Sequence, residues 1–438
     1  MKKVNSGYKL WKKSIKVIPG GTGLLSKRPD RYASYKWPTY FGSAKGIKII
    51  DLDGNIWRDF AQMGLGCAIL GYNNPQLNKH VNKFINKGIN TTLNCPEEFF
   101  LAKKLLSLNK FAKGVRFCRS GGEAMSIAVR IARAKTKSTK VAFSGYHGWH
   151  DWYLSTNLQN KDNLNKHLIS NLSTLGVPKE LKNSIFPFKF NSVEELKKIL
   201  LKSKSTKIII IEGARKDTIN LEMVKYLNKL QKIDKYVIIL DEITSGFRTS
   251  ASGVYKKIGL IPNIVVYGKA LGNGFAINAI VGDECMDYAE ESFISSSFHT
   301  ERVGFVAALK TIEIIEKEKL WFHLNRMGKK IISSWIQIAN KNNINITTNS
   351  FYPLPSFAFN YNESLNFNTY FIQELTKYNI LGANSIYLSK CHTNVEIEKY
   401  LNKVEIIFKK LSKIINSKTN KNNYLEIPQI QTGFGRLT

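Results

Sequence analysis

Four short runs of apolar, mostly β-branched residues constrain the fold of this chain more than any other feature. Each run is continuously apolar rather than alternating, which is typical of strands covered on both faces of a parallel sheet. Amphipathic stretches such as SVEELKKILLKS lie between them, and this alternation predicts a parallel sheet wrapped by helices. The runs are KVAFSG from Lys140, KIIIIEG from Lys207, YVIILDE from Tyr236 and NIVVYGK from Asn263.

The two ends of the chain carry other patterns. The stretch GIKIIDLDGNIWRDF predicts a β-hairpin whose turn lies at Asp53 and Gly54. A long helical region starts at Ala308, and a closing helix starts at Asn394. With 438 residues the chain can form two or three domains, and we place one boundary near residue 320.

The composition is strongly basic, with 65 lysines and arginines against 33 aspartates and glutamates. A net charge of +32 would suit a nucleic acid or an anionic membrane. The lysines are nevertheless spread along the whole chain, and no basic block is interleaved with aromatic residues. We therefore predict no nucleic-acid or membrane partner, and keep a non-catalytic basic binding protein as a remote alternative.

The cysteines and the apolar segments indicate the compartment. Five cysteines without a paired spacing favour a reducing environment. The basic N-terminus lacks a continuous hydrophobic segment, and no apolar run is long enough to span a bilayer. We expect a cytoplasmic protein.

Two polar residues follow successive apolar runs, where ligands of open α/β sheets bind. Asp241 would be a costly buried carboxylate unless donors or a cation meet it; alone, it is better explained as a helix cap or a partner of Arg248. Lys269 lies between glycines and could be a desolvated amine suited to Schiff-base chemistry, although a surface lysine is the plain alternative. Parallel strands would bring both residues to one edge of the sheet.

The stretch RSGGEAMSIAVRIARAKT could hold a phosphate. Ser120, Gly121 and Gly122 precede a strongly helical run, so their amides would lie at the positive end of a helix. A plain helix cap with Glu123 in the first turn explains the same residues equally well.

The loop SGYHGWHDW follows the first apolar run. Tyr146 in this loop could stack on a flat ring. His147 and His150 have no further clustered ligands, so we predict no metal site and interpret them as satisfied or surface histidines.

A phosphate cradle, an aromatic residue, a buried acid and a buried lysine match the needs of one cofactor. Pyridoxal phosphate (PLP) needs a lysine for a Schiff base, an acid that keeps its pyridine nitrogen protonated and a dock for its phosphate.

The glycine-rich stretch GLGCAILG lacks the third glycine of a dinucleotide site and follows a hairpin, which excludes a nicotinamide site.

The sequence resembles the class III aminotransferases of fold type I, and within them the glutamate-1-semialdehyde aminomutase branch. An ordered set of motifs carries this resemblance through most of the chain: VIPGG, KGIKIIDLDGNIWRDF, ILGYNNP, RSGGEA, GYHGWHDW, LDEITSGFR, GKALGNG and HTERVG.

The resemblance implies roles for individual residues. Lys269 would bind PLP covalently and shuttle protons, and Asp241 would hold the pyridine nitrogen. The other implied cofactor contacts are Ile243 and Tyr146 on the two ring faces, Ser120, Gly121 and Gly122 at the phosphate, and Thr300 at the phosphate of a neighbouring subunit.

The resemblance also implies an architecture. We expect an α/β fold with a large, mostly parallel-sheet domain and a smaller α+β domain built from both chain ends. The expected bounds are 1–60 for the N-terminal segment, which would add to the small domain and to dimer contacts, 61–320 for the large cofactor-binding domain and 321–438 for the C-terminal part of the small domain. A homodimer with shared active sites follows from the role of Thr300.

Departures from the motifs bear on the substrate. Lys27 stands where the aminomutase has a carboxylate-binding arginine, and a lysine is not an equivalent bidentate clamp. Leu65 stands where the aminomutase has a tryptophan, and Thr244 where many relatives carry glutamine or methionine. We therefore predict an aminotransferase that takes nitrogen from a small-molecule amino donor and delivers it to a semialdehyde or keto-sugar acceptor. The aminomutase itself is the alternative.

Overall fold

The computed structural model describes residues 5–233, 235–417 and 424–435. The chain forms two compact units, one comprising Met1–Asn74 and Phe322–Thr438 and the other Pro75–Trp321. Residues 61–74, expected in the large domain, therefore cluster with the chain ends. The second boundary falls at 321/322, beside the expected 320/321.

The buried side chain of Asp59 explains why residues 61–74 stay with the first unit. Its carboxylate accepts the backbone amides of Ala61, Gln62 and Met63 at 2.9 to 3.0 Å. It also accepts the hydroxyl of Tyr72 at 2.7 Å. One carboxylate thus ties both ends of this segment to the strand that carries it.

The described residues form thirteen α-helices and thirteen strands. The helices are α1 (Ser6–Val17), α2 (Pro75–Ile85), α3 (Pro96–Leu108), α4 (Gly121–Thr136), α5 (Asp151–Leu154), α6 (Val193–Lys202), α7 (Leu221–Gln231), α8 (Tyr255–Ile258), α9 (Tyr288–Glu291), α10 (Arg302–Glu318), α11 (Leu320–Lys341), α12 (Ser364–Thr376) and α13 (Asn394–Asn416). The strands are β1 (Phe41–Lys45), β2 (Lys48–Asp51), β3 (Ile56–Phe60), β4 (Gly114–Cys118), β5 (Val141–Ser144), β6 (Ile185–Pro187), β7 (Ile208–Glu212), β8 (Val237–Asp241), β9 (Ile264–Tyr267), β10 (Asn278–Gly282), β11 (Ile346–Thr348), β12 (Phe357–Phe359) and β13 (Ile380–Gly382).

Seven of the described strands form the sheet of the second unit, in the order β4-β10-β9-β8-β7-β5-β6. The strands from β9 to β6 are parallel, and β10 is antiparallel to both of its neighbours. The four apolar runs form β5, β7, β8 and β9, and every residue of these strands is buried. The prediction of a mostly parallel α/β sheet is confirmed.

Helix α4 covers the centre of this sheet. Its apolar residues, among them Met125, Ile127 and Ile131, join one core cluster with side chains of β5, β7, β8 and β9. Glu123 lies in its first turn and Arg133 and Lys135 in its last, which complements the helix dipole. The helix is thereby fixed with its N-terminus beside the sheet edge where the parallel strands end.

The first unit contains a four-stranded sheet in the order β1-β2-β3-β13 and the β11–β12 pair. Strands β2 and β3 form the predicted hairpin, whose register pairs Ile49 with Trp57.

The long helical region is divided into α10 and α11, because Lys319 adopts a left-handed conformation with φ of 46° between them.

The described part of the C-terminal tail, residues 424–435, packs on the first unit. Ile427 is buried in one apolar cluster with Tyr32, Trp37 and Ile372. The Arg28 guanidinium donates to the Gly435 carbonyl at 2.8 Å. The pKa of Glu426 is lowered to about 2 by its hydrogen bonds with Lys36 and Lys377. The tail therefore packs on this unit and adds Ile427 to its apolar core.

Among the described residues, no helix is both long and apolar enough to cross a membrane. All five cysteines are free thiols.

Candidate active site

Asp241 and Lys269 lie at the same edge of the seven-stranded sheet. Asp241 is the last residue of β8 and pairs in register with Val266 of the neighbouring parallel strand β9. Lys269 follows two residues after β9 and begins a 3-10 turn, Lys269–Gly272. Its φ of 44° is left-handed, a region that costs free energy for a residue with a side chain. The structure therefore brings together the acid and the lysine that sequence reasoning selected.

The partner of the Asp241 carboxylate is His147. Nδ1 of His147 lies 2.8 Å from Oδ2 of Asp241, and Nε2 lies 3.2 Å from the Ser144 carbonyl oxygen. Which ring nitrogen donates and which accepts depends on the tautomer of the imidazole. Asp241 Oδ1 accepts the backbone amide of Ile243 at 3.0 Å. Arg248, by contrast, donates from Nε to the Thr244 carbonyl at 2.8 Å.

Glu242, the second acid of the pair, has a different environment. It is fully buried and accepts hydrogen bonds from the Ser245 hydroxyl and from the Tyr255 amide. Gly213 and Gly253 pack so closely on it that a Cβ at either position would lie within 2.9 Å of its carboxyl group. Burial raises the pKa of Glu242 to about 7, so this residue is a structural acid of the core.

Tyr146 is tied to the next strand by Glu212. Its backbone amide donates to Glu212 Oε2 at 3.2 Å, and Glu212 is the last residue of β7. The Glu212 carboxylate also binds Arg215, with Oε1 3.0 Å from Nε and 2.6 Å from Nη2. Burial opposes ionisation of Glu212, but the charges of Arg215 and His147 and the Arg215 hydrogen bond lower its pKa overall. Glu212 is thus an ionised carboxylate that joins two segments of the site.

Thr244 connects this ion pair to the lysine. Its Oγ1 accepts a hydrogen bond from Lys269 Nζ at 2.9 Å and another from Arg215 Nη2 at 3.0 Å. The hydroxyl is buried, with only 4% of the residue exposed. An arginine and a lysine therefore converge on one oxygen atom at the sheet edge.

The N-terminus of α4 lies beside Ile243. A Cβ on Gly121 would be 3.2 Å from Ile243 Cδ1, so the absence of a side chain permits this approach. At Gly122 a Cβ would lie 2.7 Å from His150 Nδ1. Glu123 Oε2 accepts hydrogen bonds from the backbone amides of Arg119 and Ser120, which precede the helix. The predicted helix cap and the predicted phosphate-binding helix N-terminus therefore lie at the same place. The positive end of a sixteen-residue helix is directed at the edge that carries Asp241.

The remaining predicted residues lie elsewhere. Thr300 is exposed in the second unit, two residues before α10. Lys27 ends a 3-10 turn, Leu25–Lys27, in the first unit, and Leu65 in the same unit has a left-handed φ of 59°. The predicted cofactor residues Asp241 and Lys269 therefore lie together at the sheet edge. The roles of Thr300, Lys27 and Leu65 stay predictions.

The residues at this edge fit PLP. They supply an amine, a carboxylate with a hydrogen-bonded histidine, a helix N-terminus for a phosphate and a glycine that leaves space next to Ile243. Burial raises the pKa of Tyr146, which favours the neutral phenol that would stack on a ring. Among the described residues, no group of three or more His, Cys, Asp or Glu side chains could hold a metal ion.

Sequence reasoning did not select three residues of this site: His147 as a partner of Asp241, Glu212 and Arg215. A signal existed for Glu212, because it ends an apolar run just as Asp241 does. For His147 the sequence offered only a loop position, and its buried bond to Asp241 comes from the fold.

Comparisons with known proteins identify a family that the chain matches. The family model described as "Aminotransferase class-III" matches residues 33–347. The 3-aminobutyryl-CoA aminotransferase of Cloacimonas acidaminovorans is 30% identical over 338 residues, which cover 75% of this chain and 77% of that protein. A glutamate-1-semialdehyde 2,1-aminomutase of Methanosphaera stadtmanae is 27% identical, with 94% of this chain and 100% of that protein covered.

Solved structures share the fold. An omega-transaminase from Sphaerobacter thermophilus superposes with a TM-score of 0.83 at 19% identity, covering 94% of this chain and 99% of that one. A structure described as a transaminase with PLP bound has a TM-score of 0.81 at 21% identity, with the same coverage.

Proposed function

The chain belongs to the class-III aminotransferase family and is a PLP-dependent enzyme, and we propose that it transfers an amino group from an external donor to a separate acceptor carbonyl. The acceptor that we propose is of the semialdehyde or keto-sugar type. The observation that carries the proposal is the convergence of Asp241 and Lys269 at one sheet edge, each with a bonded partner. When bound, PLP supplies an electron sink for the carbon next to the transferred nitrogen.

The proposed roles of the residues follow from their surroundings. Asp241, held by His147 and by the Ile243 amide, would keep a negative charge aimed at a ring nitrogen. Lys269 Nζ would take a proton from the substrate carbon and return it, which requires the amine to stay within hydrogen-bond reach. Gly121 and Gly122 would offer amides to a phosphate, and Ile243 and Tyr146 would enclose a ring.

Two residues of the first unit support transfer between molecules. Lys27 and Leu65 stand where the aminomutase motifs have an arginine and a tryptophan. A lysine lacks the planar fork with which an arginine binds a carboxylate, so the aminomutase substrate would lose a bidentate contact. An aminomutase needs to hold one molecule through two half-reactions, whereas an aminotransferase releases a product between them.

The alternative is glutamate-1-semialdehyde 2,1-aminomutase activity. This alternative is favoured by the length of the alignment, because the Methanosphaera stadtmanae aminomutase aligns with 94% of this chain. The discriminating property is the need for an external donor, since the aminomutase moves nitrogen within one molecule.

We further propose a cytoplasmic homodimer in which Thr300 contacts the phosphate in the partner's site. The exposure of Thr300 and of Phe298 beside it is consistent with a surface that a second copy could cover. Sedimentation of the PLP-loaded protein tests this part of the proposal, and a monomer with full activity would contradict it.

The test of the proposed function is isotope transfer. Glutamate with an isotope label on its amino nitrogen would be incubated with the PLP-loaded protein and a set of semialdehydes and keto sugars. The products would be analysed by mass spectrometry. Label in an acceptor product, absent with Lys269→Ala, is expected. Isomerisation of glutamate 1-semialdehyde without donor label would instead identify an aminomutase.

A further inference from the structure

The contacts of Thr244 go beyond what the family assignment supplies. Lys269 Nζ and Arg215 Nη2 donate to the same oxygen, Thr244 Oγ1, at 2.9 and 3.0 Å. The two nitrogens are therefore within about 6 Å of each other, bridged by one buried hydroxyl. At this distance a charged amine and the Arg215 guanidinium would repel each other, and the Glu212 carboxylate bound to Arg215 offsets this repulsion.

A hydroxyl is suited to hold an amine whose protonation changes. It has one hydrogen and two lone pairs, and Arg215 occupies one of the lone pairs. The other lone pair can accept from a charged Lys269, and the hydrogen can be donated to a neutral one. Thr244 can thus keep Lys269 Nζ in place in both states, which a residue that alternately takes and returns a proton requires.

Several contacts fix the orientation of this hydroxyl. Glu212 Oε1 binds Arg215 through Nε and Nη2, which orients the guanidinium plane. The fully buried Arg248 holds the Thr244 main chain by a bond to its carbonyl oxygen. Arg215 therefore anchors the side chain of Thr244, and Arg248 anchors its backbone.

We propose that Thr244 and Arg215 are positioning residues for Lys269: Glu212 orients Arg215, Arg215 fixes the Thr244 hydroxyl, and the hydroxyl holds the amine where it reacts. The proposal rests on the proposed role of Lys269. It also gives a physical reason for threonine at a position where glutamine or methionine would place a longer side chain.

The proposal predicts a graded response to substitution of Thr244. Thr244→Val keeps the shape of the side chain but removes the oxygen, so Lys269 loses its anchor. Covalent capture of added PLP should slow by about tenfold or more, because a misplaced reacting group costs rate rather than binding. Thr244→Ser keeps the hydroxyl and should restore capture to within a few-fold of the wild-type rate.

Arg215 needs a paired substitution, because its removal alone would leave the buried Glu212 carboxylate without its counter-ion. The double variant Glu212→Gln with Arg215→Met removes both charges together. The proposal predicts slower capture in this variant, with Thr244 still present.

The experiment follows the wild-type apoprotein and its variants after mixing with PLP. Capture joins the Lys269 nitrogen to the PLP aldehyde carbon and releases the aldehyde oxygen as water, and the visible absorption band reports its rate. Affinity for pyridoxamine 5′-phosphate, which has no aldehyde, reports the phosphate and ring contacts alone. Thr249→Val is the matched control, because Thr249 is a buried threonine of the same loop.

The expected result is slow capture by Thr244→Val with unchanged pyridoxamine 5′-phosphate affinity, and near wild-type capture by Thr244→Ser and Thr249→Val. Capture by Thr244→Val at the wild-type rate would overturn the inference while leaving the enzyme assignment intact. If Thr244→Val lost pyridoxamine 5′-phosphate affinity by the same factor as its capture rate, Thr244 would be part of the pocket wall. This result would also overturn the inference. No capture by the wild type would overturn the proposed function itself.

Discussion

His147 Nδ1 lies 2.8 Å from Asp241 Oδ2, and both side chains are buried. This bond fixes the direction of the carboxylate in a site where an isolated buried charge would be costly. Asp241 therefore acts as one member of a pair, and the properties of the pair depend on His147.

Replacement of His147 by glutamine should lower kcat by roughly 10–100-fold, because a hydrogen bond to a charged group contributes about 1.5–3 kcal/mol. Asp241→Asn should cost more, about 10³-fold, since it removes the charge itself. Steady-state kinetics of amino transfer measure both effects. His80→Gln, on α2, is the control, and a His147→Gln enzyme as fast as the wild type would show that the pair has no role in the reaction.

Gly121→Ala should separate stability from cofactor binding. The helical position accepts alanine, which favours a helix by about 0.5–1 kcal/mol over glycine, so the apoprotein should melt no lower than the wild type. The new Cβ would press on Ile243 Cδ1 at 3.2 Å, so PLP should bind several-fold more weakly. Fluorescence titration with PLP measures this, with Gly23→Ala as the control, where a Cβ meets no atom within 4 Å. Unchanged affinity would contradict the placement of PLP beside Ile243.

Glu242 should make the stability of the fold depend on pH. Its pKa is raised to about 7 in the folded state. At a pH between the ordinary carboxyl pKa and 7, Glu242 therefore keeps its proton in the folded chain and has lost it in the unfolded chain. Its contribution is fully present at low pH and is lost as the pH rises toward 7, by on the order of 3 kcal/mol.

Thermal melting of wild type and Glu242→Gln from pH 5 to pH 8 tests this pH dependence. The stability of the wild type relative to the variant should fall across that range. Glu222→Gln, at an exposed position of α7, should show no such trend. A difference between wild type and Glu242→Gln that is constant with pH would refute a protonated Glu242 in the folded state.

The tail should contribute to the stability of the first unit. Ile427→Ala removes a buried side chain from the cluster with Tyr32 and Trp37 and should cost about 2–4 kcal/mol of unfolding free energy. Denaturant unfolding measures it, and Gln429→Ala, whose side chain is exposed, should change the free energy by less than about 0.5 kcal/mol. Equal effects of the two substitutions would mean that the tail does not pack in solution as it does here.

The sheet and the central pair could be predicted because local sequence determines them. Continuous apolar runs mark buried parallel strands, and the end of each run marks the sheet edge, so Asp241 and Lys269 were found together. The break at Lys319 could not be predicted, because a lysine in a left-handed conformation replaces the glycine or proline that usually marks such an end.

The network around Thr244 depends on register between strands rather than on any local pattern. Glu212 meets Tyr146 because β5 and β7 are parallel neighbours, and Arg215 meets Thr244 because β7 lies next to β8. Pairs of this kind are 29 to 66 residues apart in the chain, and no periodicity of the sequence relates them.

Lys269 is the residue through which we expect this chain to bind PLP. The most direct measurement is to load the protein with PLP, reduce it with borohydride and locate the modified peptide by mass spectrometry. We expect one stable pyridoxyl adduct, on Lys269, at close to one per chain. An adduct confined to another lysine, or no adduct above that of the unfolded protein, would contradict it.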